Sequence, residues 1–305
     1  MGQISTTFSK DVMKEMKQHY HDYLKPTPPH ALFQAKTTYA TITAYKSGKV
    51  LFQGKSPQKE AAKWDKHQTF PMNEKKKTNT KEVPDFIHTS HIGSDESGTG
   101  DYFGPVTACA VYIQQDQIAL LKEIGIQDSK KLTDQNILTL SEKIINMNIP
   151  YSLMILHNEK YNHLQLQGWS QGKMKAMLHH ACISNVLHKI GDRYYGGILI
   201  DQFCQPNIYK NHLLQEGIQV PDQTYFMTKA EDYSIAVATA SIIARASFVK
   251  EMERLSKKVN MTLLKGASKK VDLQAATLIK DKGNEYLNSV AKVHFANTNK
   301  AAQLI

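Results

Sequence analysis

The chain has 305 residues, 41% of them hydrophobic and 22% charged, and a formal charge of +10; these are globular proportions that exclude a disordered or fibrous chain. Its longest apolar run, Val106 to Ile113, falls short of the roughly 18 residues a membrane span needs, and neither a span nor a secretory leader is expected. Cys109, Cys182 and Cys204 are far apart and lack a C-x-x-C spacing, so neither a disulfide framework nor a zinc site is supported, and a cytoplasmic monomer is the expectation.

Residues 1–84 hold 15 Lys against 7 Asp or Glu, a surplus of 8 that leaves only +2 for the rest. A basic appendage on a near-neutral body fits a grip for a polyanion, although a lysine-rich solubilising domain carries the same charge. Phe8, Val12, Met13, Met16, Tyr20 and Leu24 recur at helical spacing and predict a helix over 8–24, stopped by Pro26, Pro28 and Pro29. Short strands follow at 31–36, 39–45 and 49–53, with Ser47-Gly48 as a tight turn, and Ser56-Pro57 reads as a helix start. In the middle strand Ala40, Ile42 and Ala44 alternate with Tyr39, Thr41, Thr43 and Tyr45. The second face, with Lys46 and Lys49 beside it, suits a nucleic-acid backbone, or is simply a solvated sheet face. The polar stretch from Pro71 to Pro84, with Lys75, Lys76 and Lys77, reads as a linker. The expected division is a basic substrate-binding domain over 1–70, a linker over 71–85 and a second domain over 86–305.

The second domain opens with an apolar strand leading into Gly93-Ser94-Asp95-Glu96-Ser97-Gly98-Thr99-Gly100, then a strand over 104–113. Helices are predicted around 118–126 and 134–147, a strand at 151–157, and a long helix over 171–190. An apolar strand over 196–203, interrupted by Asp201, is followed by a strand at 224–228 and a nearly all-apolar helix over 234–249. This order indicates an α/β layer fold.

Asp95 and Glu96 are adjacent carboxylates in a stretch read as a loop, with glycines at 93, 98 and 100. Such a pair repels unless a cation lies between them or one takes a proton. Asp201 ends a strand that should be central and buried, where an unpaired carboxylate costs several kcal/mol in order of magnitude. Glu231-Asp232 adds acidic side chains between a strand and a buried helix. Oxygen donors without a supporting His/Cys set suit Mg²⁺ or Mn²⁺, and Asp95, Glu96, Asp201 and Glu231 could form an acidic cluster for two-metal phosphodiester chemistry. Singly, each is equally an N-cap, a turn carboxylate or a salt-bridge partner.

Several blocks, in order, resemble the type 2 ribonucleases H: Ser94 to Pro105 (SDESGTGDYFGP), Asp128-Ser129-Lys130-Lys131-Leu132, Ile200-Asp201, Lys229-Ala230-Glu231 and Ala240 to Arg245. The Ser-Gly-Thr-Gly loop, the preceding basic domain and the ending Lys292 to Thr298 (KVHFANT) are similar to the ribonuclease HIII subfamily. The resemblance implies a ribonuclease H-like fold, a mixed five-stranded sheet flanked by helices, and cleavage of the RNA strand of RNA/DNA hybrids to 5′-phosphate and 3′-hydroxyl ends. It matches Asp95, Glu96 and Asp201 to metal-binding carboxylates, with Asp95 and Asp201 chosen as the bridging pair. Glu231 stands where ribonuclease HII usually has Asp, which keeps Asp232 as an alternative fourth ligand. Backbone amides of Ser97, Gly98, Thr99 and Gly100 are expected at the 2′-hydroxyls next to the cut bond, and Lys130 and Lys131 at phosphates. The segment Thr43 to Phe52 resembles the small α+β TATA-binding-protein-like domain of ribonuclease HIII, which gives Tyr45, Lys46 and Lys49 a substrate-binding role.

Two other readings compete. Gly168-Trp169-Ser170-Gln171-Gly172 matches a G-x-S-x-G nucleophile elbow, with Asp201 and His294 following in hydrolase order, but the preceding stretch 158–167 reads as loop or helix, not strand. The other is a non-catalytic hybrid-binding protein, against which stands the presence of all four carboxylates. The histidine pairs 19/21, 88/91 and 179/180 are read as surface or helix-end residues.

Overall fold

Ser9 starts the first helix by accepting the Val12 N–H on its hydroxyl, the usual way to satisfy an orphan donor. The computed structural model, which describes residues 2–28, 31–67, 83–126 and 132–305, has two units, Met1–Lys81 and Glu82–Ile305. In the first, the order is β1 (Gly2–Thr7), α1 (Lys10–His19), β2 (Leu24–Lys25), β3 (Ala31–Lys36), β4 (Ala40–Tyr45), β5 (Lys49–Gly54) and α2 (Pro57–Ala61). The strands form one antiparallel sheet ordered β1-β5-β4-β3-β2. Phe8, Met13, Met16 and Tyr20 share an apolar cluster with Phe33, Ile42, Phe52 and Trp64.

The helix expected to reach Leu24 stops at His19. Buried Tyr20 donates its hydroxyl hydrogen to Glu60 (2.9 Å) and accepts from the Trp64 indole (3.0 Å), which holds the chain in place as it turns into β2. β1 was not foreseen, because its polar sequence GQISTT gives no alternating apolar face; it is an edge strand paired from Gly2↔Gly54 to Thr7↔Lys49. On β4, Thr43 is buried and its hydroxyl accepts from Gln34 (3.0 Å), so the hydroxyl face is partly closed. The expected linker over 71–85 lies mostly outside the described residues.

In the second unit the order is β6 (His91–Ser97), β7 (Val106–Ile113), α3 (Gln117–Glu123), α4 (Asp134–Asn146), β8 (Tyr151–Leu156), α5 (Asn158–Leu166), α6 (Gln171–Ile190) and β9 (Ile198–Asp201). After it come α7 (Pro206–Leu214), β10 (Thr224–Met227), α8 (Ile235–Val259), α9 (Lys269–Lys282) and α10 (Ala296–Ala302). The five strands are ordered β10-β9-β6-β7-β8, with β6/β9 and β9/β10 parallel and the other pairs antiparallel. This is the mixed five-stranded sheet expected. One apolar cluster joins it to α6 and α7, a second to α4 and α8. α8 runs ten residues past the expected end at Val249. Met252, Leu255 and Val259 are buried in a third cluster with α9 and the chain's last turns.

β6 is central, and its side chains alternate between the two helical layers. On the α8 side stands Gly93, where a Cβ would lie 2.2 Å from the Val237 nitrogen and 2.3 Å from the Ala236 carbonyl carbon. Helix and strand therefore touch backbone to backbone, and only glycine permits it. Gly93→Ala is expected to cost about 3 kcal/mol or more, since both clashing partners are main chain, and a urea unfolding midpoint well below wild type would confirm it.

Candidate active site

Asp95 and Glu96 belong to strand β6, not to the loop expected from the neighbouring glycines; backbone pairing with β7, Asp95↔Cys109 and Glu96↔Ala108, carries the strand past both. Parallel pairing of Ser94 with Ile200 brings Asp95 beside Asp201, the last residue of β9. Strand β10 pairs Met227 with Asp201 and leads into a short turn, Ala230–Asp232, whose Ala230 N–H donates to Asp201 Oδ1 (2.8 Å). The turn ends at Ser234, which caps α8 by accepting the Val237 N–H (3.2 Å). Ser234 in turn lies 2.8 Å from Nε2 of fully buried His91, whose Nδ1 meets the Thr89 carbonyl at 2.7 Å. Burial pushes His91 down to about 4. It is a neutral ring, donating at Nδ1 and accepting the Ser234 hydroxyl at Nε2.

The carboxylates titrate in opposite directions. Asp95, 7% exposed, is pushed well up by burial and then by the charges of Glu96 and Asp201, despite bonds from Ser241 and the Glu96 N–H. Asp201 is pushed up to about 6, by burial first and then by Glu231 and Glu96. Burial also pushes Glu96 up, but the His179 hydrogen bond and charge, and then Lys175, outweigh it and hold Glu96 below its ordinary value. Lys175 Nζ lies 2.9 Å from Oε1 and His179 Nε2 lies 2.8 Å from Oε2. Glu231 is half-buried beside Asp201, whereas Asp232 is exposed.

The loop after β6 is fixed from the C-terminal side of the chain. Gly98 has φ +86°, and a Cβ there would lie 2.3 Å from the Pro105 carbonyl oxygen. The Thr99 carbonyl accepts from Gln171 (3.0 Å), the Tyr102 N–H donates to Gly266 (2.9 Å) and the Gly104 N–H to Val290 (2.9 Å). Lys292, fully buried, donates to the carbonyls of Asp101 (2.7 Å) and Gly104 (2.5 Å), and burial pushes it down to about 7. Ser97 and Thr99 are half-buried and Gly100 is exposed.

Asp95, Glu96, Asp201 and Glu231 are thus neighbours at one end of the sheet. Tyr45, half-buried, and Lys46 and Lys49, both exposed, belong to the N-terminal unit. Lys130 and Lys131 lie outside the described residues. Ser170 is no nucleophile elbow: it follows helix α5 and a turn, and its hydroxyl caps α6 by accepting the Lys173 N–H (3.1 Å). Sequence reasoning missed Lys175 and read His179 as a surface or helix-end residue, yet His179 is fully buried in the middle of α6. The available signal was spacing, since Gln171, Lys175, His179 and Cys182 form one stripe on α6.

All-oxygen donors whose mutual repulsion raises Asp95 and Asp201 have the chemistry a hard divalent cation relieves. Among the described residues no three His, Cys, Asp or Glu side chains are drawn together at metal-holding distance. Because Asp201 is raised to about 6 from 3.8, its ionisation opposes folding above pH ~6, and that penalty fades as pH falls toward the unfolded value. Metal-free Asp201→Asn is therefore expected to be more stable than wild type at about pH 7.5, by ~1–2 kcal/mol after solvent screening, with the gap down to about a third at pH ~4.5 and closing only below the unfolded value of 3.8. Paired thermal melts across this range check it: His91 contributes equally to both proteins, and the relief of Asp95, which the Asp201 charge also raises, adds to the gap in the same direction.

A family model described as Ribonuclease HII matches residues 92–298, and one described as a domain of unknown function, DUF3378, matches residues 3–79. The chain is 50% identical to Ribonuclease HIII of Oceanobacillus iheyensis over 100% of both, and 49% identical to Ribonuclease HIII of Bacillus mycoides over 97% of this chain and 96% of that relative. Among solved structures it is similar to Bst-RNase HIII in complex with Mn²⁺, with a TM-score of 0.70, 38% identity and 99% of each chain covered. It shares its fold with Aquifex aeolicus RNase H3, with a TM-score of 0.56, 21% identity, and 95% of this chain and 99% of that one covered. On this sequence likeness and the mixed sheet that carries it, the chain belongs to the ribonuclease HIII group of the type 2 ribonuclease H family.

Proposed function

We propose that this chain is an endoribonuclease that cuts the RNA strand of RNA/DNA hybrids by metal-dependent phosphodiester hydrolysis, leaving 5′-phosphate and 3′-hydroxyl ends. The observation that carries the reading is the crowding of Asp95, Glu96, Asp201 and Glu231 at one sheet end, next to a loop held in one conformation. These four carboxylates would hold the ions, Mg²⁺ or Mn²⁺, with Asp95 and Asp201, brought together by the β6/β9 register, as the central pair. Bound there, two divalent cations supply an activated water for in-line attack and stabilise the departing 3′ oxygen. Half-buried Glu231, beside Asp201, fits the fourth position better than exposed Asp232.

The amides of Ser97, Gly98, Thr99 and Gly100 face the 2′-hydroxyls next to the cut bond, and Gly100 has nothing within 4 Å of where a Cβ would stand, so a sugar edge can come close. Lys130 and Lys131 hold phosphates, and Tyr45, Lys46 and Lys49 grip the hybrid from the N-terminal unit. Free Cys109, Cys182 and Cys204 support a reducing cytoplasm, and no helix of the described residues is long and apolar enough to cross a membrane.

Cleavage of a strand-labelled hybrid with Mg²⁺, Mn²⁺ or EDTA tests the reading. Only the RNA strand should be cut, only with metal, and Asp201→Asn should lower the rate by about three orders of magnitude. Tight hybrid binding without cutting under any metal would favour a non-catalytic binding protein instead. Replacing Lys46 and Lys49 together by Gln should weaken hybrid binding and reduce the slope of log affinity against log salt by about 2, with the maximal cleavage rate retained; an unchanged slope would remove both lysines from the interface.

A further inference from the structure

Glu96 differs from its neighbours in that both its oxygens are taken by cationic or imidazole side chains of the protein, and both come from the α6 stripe. The two partners are held unequally. His179 is fully buried, its Nδ1 lies 2.7 Å from the Ser94 hydroxyl, and its ring stacks on Phe203 at 5.2 Å between centroids. Ser94 is itself anchored by donating to the Cys109 carbonyl (2.9 Å). No rotation of His179 is possible without breaking that chain.

Lys175 is different. Its side chain is 12% exposed, it has a flexible four-carbon stem, and its ammonium lies 4.1 Å from the Phe203 centroid as well as 2.9 Å from Glu96. The ring face gives that charge a second resting place when the carboxylate is lost. Phe203 follows Asp201 by two residues, so this resting place is part of the same sheet end. Through Gln171, one turn earlier, the same stripe also reaches the Thr99 carbonyl (3.0 Å).

We propose that Lys175 is the metal site's resident counter-cation: it occupies Glu96 Oε1 in the metal-free protein and withdraws along Phe203 when the site is loaded, while His179 and Ser94 keep Oε2 in place. Lys175 and His179 are thus positioning residues, and Lys175 sets how much divalent cation is needed to free Glu96. The inference rests on Glu96 being a metal ligand.

The test is calorimetric titration of the metal-free full chain with MnCl₂. Lys175→Met, which keeps an apolar contact for the Phe203 ring, is expected to bind Mn²⁺ about five- to tenfold more tightly than wild type, because no ammonium competes for Oε1. Lys175→Arg, with a fork that grips a carboxylate more firmly, is expected to bind it more weakly by a similar factor. Lys173→Met, which removes a nearby lysine paired with Glu216 at 2.6 Å, should bind as wild type does, so an equal gain in Lys173→Met and Lys175→Met would mean general charge and overturn the proposal. An affinity of Lys175→Met at or below wild type, or of Lys175→Arg at or above it, also overturns it. Should Lys175→Met fail to fold in a thermal melt, Lys175→Arg decides. Glu96→Gln separates this from the underlying reading: Mn²⁺ binding as tight as wild type there would show that Glu96 is no ligand, whereas weakened binding with no gain from Lys175→Met sinks the counter-cation alone.

Discussion

Bringing several negative charges to the end of a central sheet strand, with apolar layers on both sides, is the constraint around which the second unit is built. Water is largely excluded, so each carboxylate feels its neighbours strongly, and the protein relieves the conflict differently at each. Asp95 and Asp201 stay strained toward protonation, while Glu96 is neutralised by α6. A cluster satisfied throughout by its own lysines and histidines would have little reason to attract a cation. One left wholly unpaired would oppose folding by several kcal/mol in order of magnitude.

Geometry follows from the same constraint. The parallel β6/β9 register places Asp95 by Asp201, and the Ala230 N–H ties the turn bearing Glu231 to Asp201. That turn cannot drift, because two residues later Ser234 is fixed by neutral His91 at the far end of β6. Helix α8 lies against Gly93 without an intervening side chain. Strand, turn and helix therefore form a closed loop of contacts, and the acidic side chains project from a frame with little freedom of its own.

Much of this was legible in the sequence, for identifiable reasons. Asp201 stood out because an apolar strand ended in a charge, and α6 was placed over Gln171–Ile190 by its apolar pattern. Asp95 and Glu96 were misread as loop residues because three glycines surround them, although Gly93 serves close packing and only Gly98 takes a positive φ. Edge strand β1 and the short helices α7 and α10 left too little apolar periodicity to read, whereas α9 carried it in Val271, Ala275 and Leu278 and went unread. The choice between Glu231 and Asp232 depends on which of two consecutive side chains a turn points inward, and composition carries no trace of it. His179 beside His180 looked like a surface pair; its burial is set by Ser94 and Glu96, residues 85 and 83 positions away in the chain.

The bracing of the glycine loop has a consequence for a chain still being made. Lys292 reaches back 191 residues to the Asp101 carbonyl, and Gly104 is bound to Val290 in the same region. Translation at about 5–20 residues per second therefore leaves the loop without its brace for roughly 10–40 s after residue 101 is added. During that interval the carboxylate strand β6 can exist while the surface beside it has no settled shape. A nascent chain on the ribosome therefore has no settled loop beside its carboxylates until its last helices have folded back.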